Sequence, residues 1–126
     1  MARLLVVDDD HALRQLVEAI LLEDRTHAVR GVARADEALV ALETFAADRL
    51  IVDVRLPDMD GPSLYREARR RGFGGRVLVF TANDRNSPAL KQVEEELGHA
   101  GIMFKPFDID ALIERVNLLL QLPREV

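Results

Sequence analysis

Four short apolar runs in this chain each stop abruptly on a polar residue, and longer amphipathic stretches lie between them. Leu4-Leu5-Val6-Val7 runs into Asp8-Asp9-Asp10, and Leu50-Ile51-Val52 into Asp53. Val77-Leu78-Val79-Phe80 runs into Thr81, and Gly101-Ile102-Met103-Phe104 into Lys105-Pro106. A run without polar alternation is a strand covered on both faces, as in a buried parallel sheet. Ala28 to Val32 reads as a fifth, weaker strand suited to an edge.

The intervening stretches carry helical spacing. Leu13, Leu16, Val17, Ile20 and Leu21 predict a helix over about residues 11–24, with Asp9 or Asp10 as its N-cap. Ala38, Leu39, Leu42 and Phe45 form a second stripe, with Asp36 and Glu37 favourably placed in its first turn. A loop with Pro57 and Asp60-Gly61 precedes a third helix over about Pro62 to Arg71, which Gly72, Gly74 and Gly75 terminate. After a loop at 83–88, a polar helix runs to about Leu97. Ile109, Leu112, Ile113, Val116, Leu119 and Leu120 mark a last helix that stops near Pro123.

Five strands alternating with five helices imply right-handed crossovers and a parallel sheet with helices on both faces. The expected form is an α/β, flavodoxin-like doubly wound (βα)5 fold with strand order 2-1-3-4-5. A chain of 126 residues suits one such domain, expected over residues 1–121, with 122–126 as a tail or the start of a linker. The absence of cysteine excludes disulfides, thiolate metal sites and thiol nucleophiles. A formal charge of −5 argues against direct binding to nucleic acid or an anionic membrane. No apolar run reaches a membrane span and no signal-peptide pattern opens the chain, so a cytoplasmic protein is expected.

Ligands of such sheets bind beyond the carboxyl ends of the strands, where strand order reverses. The fold therefore brings Asp8, Asp9, Asp53, Thr81 and Lys105 to one cleft. Like charges about 4 Å apart repel by roughly 4 kcal/mol at an effective dielectric near 20, so three carboxylates call for a raised pKa or a cation. A hard divalent ion with oxygen ligands, Mg2+ with Mn2+ as an alternative, fits the trio and leaves an open side for phosphate oxygens. A carboxylate beside such a metal can attack phosphorus to give an aspartyl phosphate, with a lysine and a hydroxyl neutralising the phosphoryl oxygens.

These residues, with Pro57, Asp60-Gly61, Thr81-Ala82 and Lys105-Pro106-Phe107 in the same order, resemble the receiver domain of two-component response regulators over nearly the whole chain. In length the chain is similar to a single-domain, chemotaxis-type receiver. The resemblance implies that Asp53 accepts a phosphoryl group from a sensor histidine kinase or a phosphotransfer protein. It implies Mg2+ on Asp8, Asp9, Asp53 and the backbone carbonyl of Arg55, and contacts from Thr81 and Lys105 to the phosphoryl group. It further implies a cis bond before Pro106, a downstream output protein or domain, and a monomer or phosphorylation-dependent homodimer. It does not imply an enzyme turning over external substrates.

Two departures concern the switch. The family carries Tyr or Phe three residues before the lysine, where Ile102 stands here, a stiff β-branched side chain with no ring to swing. Phe104 shares its parity on the strand. The stretch from Thr81 to Lys105 is also about two residues longer than in the family.

Two competing functions remain at this point. A small aspartate-nucleophile phosphohydrolase would use Asp8 as its nucleophile, although Ala12 departs from that pattern. A degenerate receiver would act by binding alone. No glycine-rich dinucleotide loop or Walker loop is present. Asp10 reads as a cap, Asp58 and Asp60 as turn residues, and His11 as exposed in the first helical turn. Arg66, Arg69, Arg70, Arg71 and Arg76 read as a solvated basic face.

Overall fold

The computed structural model describes residues 2–23, 25–82 and 101–121, together with residues 88, 91, 94 and 95. Its elements are β1 (Arg3–Val7), α1 (His11–Leu22), β2 (Ala28–Val32), α2 (Ala35–Thr44), β3 (Arg49–Asp53), α3 (Gly61–Arg70), β4 (Arg76–Ala82), β5 (Ile102–Lys105) and α4 (Ile109–Gln121). All strand pairs are parallel, and the order is β2-β1-β3-β4-β5. The expected sheet is therefore present. Pro88, Lys91, Glu94 and Glu95 are helical, while the rest of the expected polar helix and the tail 122–126 lie outside the described residues.

Side chains on a strand point alternately to opposite faces, and here each face finds its own pair of helices. Leu5, Val7, Leu50, Val52, Val77, Val79 and Ile102 pack with Ala35, Ala38 and Leu39 of α2 and Leu64 and Tyr65 of α3. Leu4, Val6, Ile51, Leu78, Phe80 and Met103 pack with Val17 and Leu21 of α1 and Leu112, Val116 and Leu119 of α4. Two buried faces explain why the strand sequences carry no polar alternation.

Helix ends are fixed by a few polar side chains. Asp10 caps α1 by accepting from the Leu13 N–H at 3.1 Å. Asp60, read from the sequence as a turn residue, caps α3 by accepting from Ser63 at 2.7 Å. Gly72, with φ of 98°, follows α3 in the left-handed region that favours glycine. Arg49 at the start of β3 donates to the carbonyls of Leu119 and Leu120, supplying the cation that the last turn of α4 lacks.

Of the arginines read as a solvated face, Arg66, Arg70 and Arg71 are exposed, while Arg69 and Arg76 are half-buried. Arg69 is anchored, donating to the Tyr65 hydroxyl and to the carbonyls of Phe73 and Gly75 at 2.7–2.8 Å. Hydrogen bonds from Arg70, and next from Arg71, pull the Glu67 carboxyl down to about 2. Arg69 thus closes the α3–β4 turn, while Arg70 and Arg71 neutralise the acid of their own helix.

Candidate acidic phosphoacceptor site

Strand register sets the site. Val7 of β1 pairs with Val52 of β3, so Asp8 and Asp53 leave adjacent strands at the same level. Asp53 pairs with Phe80, one residue before Thr81. Thr81 in turn pairs with Phe104, and Ala82 with Lys105. The residues at the sheet's carboxyl end, far apart in sequence, thus form one rim.

At that rim, carboxylate oxygens of Asp8, Asp9 and Asp53 all lie within 4.8 Å of one another. The Lys105 amine donates to Asp53 Oδ2 at 3.1 Å and to Asp8 Oδ2 at 3.5 Å. Asp8 is only 1% exposed, and its Oδ1 accepts from the Asp10 N–H at 2.9 Å. Burial pushes the Asp8 carboxyl above the ordinary aspartate range, and the neighbouring Asp53 charge adds to this. The Asp10 N–H and Lys105 pull the other way without cancelling it. One lysine thus reaches two of the three acids. An all-oxygen group of this size fits a hard divalent ion such as Mg2+.

The other expected residues are arranged as follows. Thr81 is buried, and its hydroxyl donates to the carbonyl of Ala82 at 3.2 Å. Arg55 is exposed, with its N–H directed at Asp53 Oδ1 at 3.5 Å, and it forms an isolated antiparallel bridge with Asp60. The Lys105–Pro106 bond is cis. Ile102 is 2% exposed and belongs to the core cluster that holds its pairing partner Val79, whereas Phe104 is half-buried against that cluster. The position nearest Thr81 across the sheet is thus held by an aromatic ring, at Phe104 rather than at residue 102.

Sequence reading missed the structural roles of Arg14, Asp58, Asp60 and Gly61. Arg14 donates to the backbone carbonyl of Asp8 at 2.8 Å and fixes the turn that presents it. Its second guanidinium nitrogen lies 2.8 Å from His11 Nδ1, giving exposed His11 a partner. Gly61 folds back so closely that a Cβ there would sit 2.8 Å from the Asp53 carbonyl oxygen. Asp58 accepts from the N–H groups of Ala35 and Asp36, over twenty residues upstream. The Asp60-Gly61-Pro62 sequence carried a helix-start signal that could have identified Asp60. For Asp58 and Arg14 no local pattern exists, because their partners are set by tertiary packing.

A cleft of about 280 Å3 between the C-terminal parts of α2 and α3 opens at the far end of the sheet and holds none of these groups. Beside Lys105 a groove of about 300 Å3 is lined by Leu13, Leu16, Phe107, Ile109 and Leu112.

A doubly wound parallel sheet whose switch point carries three convergent carboxylates and a lysine defines a class: α/β domains with an acidic cleft over the strand ends. Within that class the chain belongs to the response regulator receiver domain family, whose model matches residues 4–117. Response regulator MprA of Mycobacterium ulcerans is 34% identical over 124 residues, spanning 94% of this chain and 50% of that protein. The two-component response regulator PhoP of Pseudomonas aeruginosa is 33% identical over 119 residues, spanning 94% of this chain and 52% of that protein. The chain therefore spans about half the length of these curated relatives. The receiver domain of the Francisella response regulator 1452 superposes with a TM-score of 0.77 at 28% identity, covering 94% of this chain and 96% of that one. Receiver domains of this family bind Mg2+ at an acidic pocket, and Asp8, Asp9 and Asp53 form an acidic cluster here. No helix among the described residues is long and apolar enough to cross a membrane.

Proposed function

We propose that Asp53 is the phosphoacceptor of this receiver, taking a phosphoryl group from the phosphohistidine of a sensor kinase or a phosphotransfer protein. An Asp53 carboxylate oxygen attacks phosphorus, the P–N bond breaks, and the electron pair leaves with the imidazole. The observation that carries this is the Lys105 amine 3.1 Å from Asp53 Oδ2, on the strand-end carboxylate that is neither fully buried nor committed to a helix cap. Asp8, Asp9 and Asp53, with the Arg55 backbone carbonyl, would hold Mg2+, which supplies positive charge against the phosphoryl oxygens. Lys105 holds a second positive charge at the same place and orients the acceptor. Thr81 is one residue beyond the level of Asp53, with a hydroxyl bonded only weakly along its own strand and free to turn to a phosphoryl oxygen.

Phosphorylation exchanges one carboxylate for a group of greater charge and draws Thr81 and Lys105 inward, shifting a pre-existing equilibrium. With Ile102 locked in the core, Phe104 is the ring placed to respond. The readout is a changed affinity for an output protein or domain, as in a cytoplasmic signalling switch that does not turn over external substrates. The apolar groove beside Lys105 gives a donor protein a seat next to the acceptor. The phosphohydrolase reading loses ground because its nucleophile, Asp8, is buried and bonded to both Asp10 and Lys105.

The test is incubation with a small acyl phosphate, with and without Mg2+. Wild type should take up one phosphoryl group only with the metal, and Asp53→Asn should take up none. Uptake by Asp53→Asn equal to wild type, or steady hydrolysis of phosphomonoesters, would refute the assignment.

A further inference from the structure

The loop after β3 is held at both ends by backbone bonds, its two arms meet in the Arg55–Asp60 bridge, and one side chain ties its middle to a distant helix. At the start, the Val54 N–H continues the sheet by donating to Phe80 at 2.8 Å. At the end, the Gly61 N–H returns to the Val54 carbonyl at 2.7 Å, against the Asp53 backbone. Between them Arg55, Pro57 and Asp58 are exposed, and only Leu56 and Met59 reach the core, as half-buried side chains. Asp58 supplies the remaining constraint. Its Oδ1 accepts from Ala35 N–H at 2.9 Å and its Oδ2 from Asp36 N–H at 3.0 Å, with Arg34 at 3.7 Å.

The anchor at the other end of this tether is firm. The residue before α2, Arg34, offers no side-chain acceptor to the helix, so Asp58 satisfies two first-turn N–H groups that would otherwise lack one. Ala35 is fully buried in the cluster that also contains Val7, Val52 and Val54. The first turn of α2 is therefore tied to the strands that carry the acidic site. The Arg55 N–H is at the limit of a hydrogen bond with Asp53, at 3.5 Å. A contact that long does not hold Arg55 by itself. Its position is set by the loop around it.

We propose that Asp58 is a positioning residue for phosphoryl transfer: by capping α2 it holds the Arg55 segment against the Asp53 carboxylate and so sets the site's geometry for metal and phosphoryl group. This rests on the reading of Asp53 as acceptor. It makes α2 a structural partner of the site, although α2 contributes no side chain to it. The effect is that of an outer partner in a metal centre, which orients the inner ligands without touching the ion.

The test compares wild type, Asp58→Ala, Asp58→Asn and Phe45→Leu. The last is a stability control at the opposite end of the sheet, where the Phe45 carbonyl accepts from Arg3. Mg2+ affinity is read by thermal-shift titration, and phosphorylation rate with a small acyl phosphate. Asp58→Ala is expected to lose about tenfold in both, the low end for outer partners of metal sites. Asp58→Asn, which keeps a carbonyl acceptor, should recover most of the loss. Phe45→Leu should melt earlier yet bind Mg2+ and react like wild type. If Asp58→Ala does not fold, Asp58→Ser carries the test, with an intermediate loss expected.

Asp58→Ala values no lower than those of Phe45→Leu would overturn the proposal. So would an Asp58→Asn loss as deep as that of Asp58→Ala, because charge and not capping would then be responsible. A wild type that binds Mg2+ but takes up no phosphoryl group would refute the acceptor reading instead, and the Mg2+ affinities alone would decide the role of Asp58.

Discussion

Asp8 is the buried carboxylate among the described residues, removed from solvent beside two others with one lysine to share. Burial raises its folded-state pKa above the ordinary value, so its effect on stability has a definite sign. Below the ordinary aspartate range the group is neutral in both states and costs nothing. As pH rises through the raised value, the folded state must hold a charge that the unfolded state solvates freely, and stability falls. In metal-free buffer, Asp8→Asn should therefore melt higher than wild type at neutral pH, by roughly 3–5 °C, with the gap closing as pH falls through the aspartate range. Added Mg2+ should raise the melting temperature of wild type and leave that of Asp8→Asn unchanged. A variant that melts lower than wild type without metal at neutral pH would show that Asp8 stabilises the fold, contrary to this account. Residues of this kind were legible in the sequence because they interrupt apolar runs. Asp58 and Arg14 were not, since an aspartate in a loop and an arginine on a helix look the same whether or not they grip a distant backbone.

At the scale of elements, what could be read from the sequence followed burial. β1, β3 and β4 were unmistakable because both faces of each are covered, whereas the half-buried edge strand β2 read as weaker, and the buried stripes of α1, α2 and α4 repeat at helical spacing. Boundaries were less legible because they depend on caps. α1 ends at Leu22, within the span read to residue 24, and α3 starts at Gly61 because Asp60 caps it. Arg49 was unreadable as an anchor of α4, since its carbonyl partners lie about seventy residues downstream. One element end is strained. Ala46, directly after the C-cap of α2, has φ of 54°, in a region where a Cβ is unfavourable and glycine is at ease. Ala46→Gly should stabilise the protein by about 0.5–1 kcal/mol, the conformational relief exceeding the added freedom of the unfolded chain. Chemical denaturation measures this, and a loss of stability would show that the Ala46 methyl makes packing contacts worth more than the strain.

At the scale of the whole molecule, among the described residues, acids dominate one end of the strands and arginines open the other. Asp8, Asp9 and Asp53 gather at the carboxyl end, while Arg3, Arg49 and Arg76 open β1, β3 and β4 at the other. The formal charge of −5 is thus concentrated in part at a functional rim rather than spread evenly over the surface. The rim exists only because the strand order 2-1-3-4-5 places β1 beside β3. The fold also joins this rim to the altered aromatic position, with Ile102 in the core and Phe104 opposite Thr81, both on β5, which ends in Lys105 and pairs with the β4 strand that carries Thr81. Everything proposed for the switch depends on which carboxylate takes the phosphoryl group. The most direct measurement is to phosphorylate the chain with a small acyl phosphate and Mg2+, reduce the acyl phosphate with borohydride, and locate the resulting homoserine by mass spectrometry. The account predicts homoserine at position 53 alone. Homoserine at position 8, or none at any aspartate, would contradict it.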